Sequence, residues 1–183
     1  MKKLKILLIW EFQIIENFFL KTPEFFVSEK AHNNSFSADG GLSDSEVSIG
    51  TLNLTYELTI IKLNNTVDFA LLLIINHILP EVDNLKERNK RMRFSRSDML
   101  TLVSQHGVNY RTIPGWEVVE IVKEDSNALK HRGGMQLYKD TEFNIPVSEN
   151  VMFEKQSIEL KIQEVKKWIF DLIDKANPLF QDI

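Results

Sequence analysis

The feature that most constrains this chain is the segment 67–79, VDFALLLIINHIL. From Phe69 to Ile75 no polar residue interrupts it, and no longer apolar run occurs in the sequence. Such a run is far short of the roughly twenty residues that span a bilayer core. A helix apolar around its whole circumference must instead be covered by the rest of the fold. Asn64-Asn65-Thr66 reads as the turn before it, with Thr66 as N-cap and Asp68 in a first turn that favours negative charge. Pro80 ends it. The pattern predicts a central buried helix sandwiched between a sheet and another element.

The predicted sheet comes from residues 46–63. Val47 and Ile49 occupy odd positions, and Leu52, Leu54, Tyr56, Leu58 and Ile60 occupy even ones. Each set alternates as a half-buried strand does, and the register flips at Gly50-Thr51. This is one long kinked strand or two short ones. Trp116–Lys123 reads as a further strand, with Met135–Lys139 as its hairpin partner across Gly133-Gly134. Asp98–Gln105 is a short helix or strand, and Gly107 and Pro114-Gly115 mark turns.

Two more helices frame this sheet. At the C-terminus Ile158, Ile162, Val165, Ile169 and Leu172 recur at alternating spacings of four and three, with Lys161, Glu164, Lys166 and Lys167 outside the seam. The expected span is 154–175. Near the N-terminus, residues 4–20 read better as a helix than as a strand. Leu4, Leu7, Leu8, Ile14, Ile15 and Phe18 share one face, while Ile6, Trp10, Phe12 and Phe19 spill onto the other. Pro23 closes this helix or begins a turn. Its surplus apolar surface makes Trp10, Phe12 and Phe19 candidate oligomer contacts. Lys2, Lys3 and Lys5 before Ile6–Trp10 resemble the start of a signal peptide, but Glu11, Gln13 and Glu16 interrupt the pattern and no small-residue cleavage site follows.

The expected fold is therefore α/β (α+β): a small, mostly antiparallel sheet packed by an N-terminal helix, a central buried helix and a C-terminal amphipathic helix. Its 183 residues suit a single domain, 1–183, with a polar loop at 28–46 and a basic segment at 86–96. No cysteine is present, which excludes disulfides, thiolate catalysis and cysteine-ligated metal, and is compatible with a reducing cytosol. The net charge of −4 argues against nucleic acid as the obvious partner of the whole protein.

Motifs for chemistry are sparse. His32, His77, His106 and His131 form no metal-type pair at i, i+3 or i, i+4. His77 reads as a hydrogen-bonded core histidine. Dinucleotide, P-loop, nucleophile-elbow and zinc-protease signatures are absent from the sequence. Lys130-His131-Arg132 before Gly133-Gly134 reads as a hairpin turn in preference to an anion grip. Glu57 and Lys62 share the long strand but face opposite sides, and Glu117, Glu120 and Lys123 alternate with Val and Ile as solvent charges, so no nuclease constellation converges. No catalytic, metal or cofactor site is expected. Lys86, Arg88, Lys90, Arg91, Arg93 and Arg96 form the one conspicuous charge cluster, a solvated loop or a patch for an acidic partner.

The order of these elements resembles the tail-completion and tail-terminator proteins of tailed bacteriophages. Leu20–Ser35 resembles the end of their first helix and its exit loop. Leu54–Val82 resembles their core strand, turn and helix, through Tyr56-Glu57-Leu58, Ile60-Ile61, Val67-Asp68 and Leu71-Leu72. The likeness covers about a third of the chain. The basic segment and the C-terminal helix depart from it. The resemblance implies a non-enzymatic virion protein assembled in the host cytoplasm. It would form a homohexameric ring that caps the tail tube at its head-proximal end and joins the head connector. DNA would pass through without specific binding, no membrane would be involved, and Arg91, Arg93 and Arg96 would face that channel or an acidic neighbour. Two other readings remain open: an inhibitor or immunity-type protein binding one protein target, and a divergent nuclease.

Overall fold

A computed structural model of the chain describes residues 2–30, 44–79, 93–132, 135–139, 146–150 and 155–179. Five α-helices dominate these residues: α1 (Lys2–Lys30), α2 (Asp44–Ile78), α3 (Arg96–Gln105), α4 (Trp116–Arg132) and α5 (Lys155–Ala176). Short 3-10 turns occupy Tyr110–Thr112 and Asn177–Leu179. Strand pairing is confined to one antiparallel hairpin, β1 (Met135–Lys139) with β2 (Pro146–Asn150), in which Leu137 faces Ser148.

The expected α/β fold is thus overturned: the described residues form a helical bundle without a core sheet. The 46–63 strand, the Asn64-Asn65-Thr66 turn and the 67–79 helix are one continuous helix of 35 residues, α2. Of the even-numbered set that suggested a strand, Tyr56 and Ile60 are buried but Leu54 and Leu58 are exposed. The buried positions are Thr55, Tyr56, Thr59, Ile60, Leu63, Asn64, Thr66, Val67, Ala70, Leu71, Ile74, Ile75 and Ile78. Their period is helical, and Thr and Asn fill places where an apolar residue would have revealed it.

Those polar residues are satisfied inside the bundle. Thr59 Oγ1 donates to the Thr55 carbonyl at 2.7 Å, and Thr66 Oγ1 to the Lys62 carbonyl at 2.9 Å. Bonds of this kind let Thr sit within a buried helix. Thr66 and Asp68 therefore lie mid-helix and do not serve as cap or first turn.

The predicted strand at Trp116–Lys123 is likewise the start of helix α4, which buries Val119, Val122, Ser126 and its neighbour Asp125. Met135–Lys139 is a strand as expected, but its partner is Pro146–Asn150. Asp98–Gln105 lies in helix α3. Helix α1 continues past Pro23, losing one backbone donor there, and reaches into the expected 28–46 loop. The remainder of that loop, 31–43, lies outside the described residues, and 44–46 already belong to α2.

The C-terminal seam fares better. All five of its residues are buried, and α5 runs Lys155–Ala176 against the expected 154–175. Trp168, Ile173 and Ala176 widen the buried stripe.

Helix α2 is the bundle's axis, packing against α1, α3, α4 and α5. The turn before α4 is fixed by Gly115, whose φ is +94°. A Cβ there would lie 2.9 Å from the Glu164 carbonyl and 3.3 Å from Trp168 Cβ, so α5 is seated directly on this glycine. Beside it Tyr110, Trp116 and Trp168 form an aromatic cluster with ring centroids 4.8 and 5.6 Å apart, and Trp168 Nε1 donates to the Tyr110 carbonyl.

Candidate functional site

The expected site residues separate into different environments. Trp10 is 66 % exposed, whereas Phe12 and Phe19 are 0 and 1 % exposed. Phe12 packs on Phe170, with the Lys166 ammonium 5.7 Å above its ring, and Phe19 packs on Tyr56 at 5.5 Å. The expectation that Phe12 and Phe19 face another subunit is corrected: the chain's own core occupies their surface. Arg91 lies outside the described residues, and Arg93 is exposed just before α3.

Arg96, its side chain 9 % exposed, is held in a clamp formed by α2. Its Nε donates to Asp68 Oδ1 at 2.6 Å, and its Nη2 donates to both the side chain and the carbonyl of Asn64 at 2.7 and 2.9 Å. Asn64 and Asp68 are one helical turn apart, so both reach the same guanidinium. The expected channel or partner contact at Arg96 is thus replaced by a structural tie between α3 and α2. Its Nη1 is buried without a hydrogen-bond partner among the described residues.

A second buried pair joins α4 to α5: Lys161 Nζ donates to Asp125 Oδ2 at 2.8 Å, beside the buried Ser126. This pair has no adjoining cavity among those described. A shallow open depression of about 550 Å³ is lined by Thr101, Ser104, Gln105, Asn109, Tyr110 and Arg111. No group of three His, Asp or Glu among the described residues is placed to hold a metal ion. His77 is half-buried and donates from Nδ1 to the Leu73 carbonyl at 2.7 Å.

The most distinctive surface is the outer side of the α1–α2 hairpin. At 100° per residue, the buried face of α1 carries Leu4, Leu8, Phe12, Ile15 and Phe19. The rest of the circumference carries Ile6, Leu7, Trp10, Ile14 and Phe18, which are between 39 and 66 % exposed. On α2 the exposed Leu54 and Leu58 form a ridge with Lys62, one turn further on. Lys62 is bonded to Glu11 of α1, and Tyr56 touches Phe19, so Leu54 and Leu58 lie level with Ile14 and Phe18. Seven large apolar side chains are therefore exposed on the outer sides of these two helices.

Among the described residues three ion pairs tie α1 to its neighbours, and only the first borders this surface: Glu11 with Lys62, Glu16 with Lys166 and Lys5 with Asp174. Sequence reasoning found the apolar excess of this helix but divided its faces differently. Gln13, Asn17 and Lys21, spaced four apart and all exposed, mark the outward side. They were the available signal.

Among known proteins, no family model, curated protein or solved structure matches this chain.

Proposed function

We propose that this protein works by binding other protein surfaces through the outer face of the α1–α2 hairpin, without catalysis. One observation carries the reading: Ile6, Leu7, Trp10, Ile14, Phe18, Leu54 and Leu58 are all exposed on the outer sides of one hairpin, where the Glu11 carboxylate is paired with Lys62. Exposed apolar patches on lone subunits seldom exceed a few hundred Å², and larger ones mark interaction sites. Trp10 at the middle of the stripe has the character of an interface anchor. The inhibitor-like and assembly-protein readings are both special cases of such binding.

The tail-terminator expectation rested in part on a core strand and turn at 54–66, where the chain is helical. The ring, the virion position and the DNA passage lose that argument and do not enter the proposal. For a nuclease, Glu57 lies on α2 and Glu120 on α4 beside Lys123, and nothing among the described residues joins them into one site.

A photo-reactive phenylalanine analogue placed at Trp10, and separately at the exposed Leu160 of α5, tests the reading in living cells. We expect a discrete protein adduct from position 10, lost on adding Ile14→Glu, and none from position 160. Equal labelling at both positions, or none at either, overturns the proposal.

A further inference from the structure

Resting on that reading, we infer that the occupant of this face is a second copy of the same chain, held by antiparallel packing of α1 on α1. The area is the first argument. Seven large side chains about half exposed offer at most roughly 700–800 Å² of apolar surface, against the ~800 Å² that each partner contributes to a stable interface.

The second argument is geometric. Ile6, Trp10, Ile14 and Phe18 form a ridge with a spacing of four, and two such ridges interdigitate at a crossing of about 50°. Antiparallel pairing about the middle of the stripe sets Trp10 against the partner's Ile14, and Ile6 against the partner's Phe18. This alternates large and smaller side chains across the seam, as an isologous contact requires.

The surface is also lopsided in a way that favours this orientation. Next to Ile14 and Phe18, α2 supplies Leu54 and Leu58; toward the other end of the stripe it supplies Lys62, paired with Glu11. An antiparallel copy lays its own Ile6 and Leu7 onto the apolar end of its neighbour.

Charge permits the contact. Lys3 and Lys21 bracket the stripe on the same face, and antiparallel pairing brings Lys3 of one copy toward the partner's Lys21. With helices crossing at about 50° and roughly 9 Å apart, these residues are separated by roughly 15 Å, beyond the ~8 Å screening length. Gln13 and Asn17 on the face are uncharged, so docking strands no ion in the seam.

Sedimentation equilibrium of the full chain, with and without Trp10→Glu plus Ile14→Glu, tests the inference. We expect a dimer of the 21.3 kDa chain whose dissociation constant rises roughly a hundredfold in the double variant. Circular dichroism verifies that the variant is folded. Because the chain lacks cysteine, Trp10→Cys mixed with Ile14→Cys provides a second readout. The mixed disulfide is expected to form faster than one between Trp10→Cys and Leu160→Cys. A dimer indifferent to the double variant overturns the inference. So does a monomer at every concentration. If that monomer still gives the Trp10 adduct with another protein, the binding face stands and only its occupant is wrong. If it gives no adduct, both fail. A monomer that instead binds anionic lipid vesicles through Trp10 replaces both with a membrane-surface role.

Discussion

Arg96 and Asp68 lie on different helices, yet the Nε of one donates to Oδ1 of the other at 2.6 Å, with the arginine side chain only 9 % exposed. Asn64 takes two further bonds from the same guanidinium. This fork binds α3 to the middle of α2. Arg96→Ala leaves buried acceptors on Asn64 without their donor and is expected to cost about 2–3 kcal/mol in urea unfolding. Arg96→Lys is expected to recover less than half of that loss, because an ammonium lacks the planar fork that reaches both residues.

Gly115 is the second point where local geometry is forced. Gly115→Ala meets a positive φ and a Cβ within 2.9 Å of the Glu164 carbonyl. A loss of about 2–4 kcal/mol is expected, read as a lower denaturation midpoint. Gly107 has a similar φ of +88° but open space around it, so Gly107→Ala is expected to cost only about 1–2 kcal/mol.

Trp10 and Phe12 are two residues apart and face opposite environments. Phe12→Ala is expected to destabilise the protomer by about 3–5 kcal/mol through lost burial and a cavity. Trp10→Ala is expected to change protomer stability by less than about 0.5 kcal/mol, measured below the association range. Equal losses for the two variants contradict the assignment of faces.

Stability should fall at both pH extremes for assignable reasons. The Asp98 carboxyl lies below its ordinary value because it accepts hydrogen bonds from the Ser95 side chain and backbone in the capping box of α3. A depressed carboxylate stabilises the fold above its unfolded value, and this contribution disappears as pH drops through the folded value. Asp98→Asn is expected to flatten that acid limb. The Tyr56 hydroxyl lies above its ordinary value through burial and, secondarily, the charge of Glu159. Stability is expected to decline as pH rises above the ordinary tyrosine value of 10.0, and Tyr56→Phe removes that component. Denaturant midpoints across pH, for the wild type and both variants, check these slopes.

The C-terminal helix was legible because Ile158, Ile162, Val165, Ile169 and Leu172 repeat an apolar seam between charged faces. Local pattern and tertiary burial agree there. The turns at Gly107 and Gly115 were legible for a similar local reason, since both carry positive φ. The 46–66 segment was not, because its core-facing positions include Thr55, Thr59, Asn64 and Thr66. Those residues lower the apparent helical period, and the β-branched and aromatic residues around them imitate alternation.

By itself the sequence determined that residues 158–172 form a helix and that the N-terminal helix carries more apolar surface than one core contact consumes; its demand that Phe69–Ile75 be covered on every side was met only in part, since Phe69 stays 37 % exposed. Tertiary structure alone decided that Asn64 and Asp68 sit in a helix and not at a turn, because their partner is Arg96, about thirty positions away in the chain. It also decided which half of the aromatic surplus is hidden. Phe12 and Phe19 turn inward and Trp10 outward because α2 and α5 cover only one side of α1, and no local rule can rank two apolar faces of one helix before their neighbours are placed.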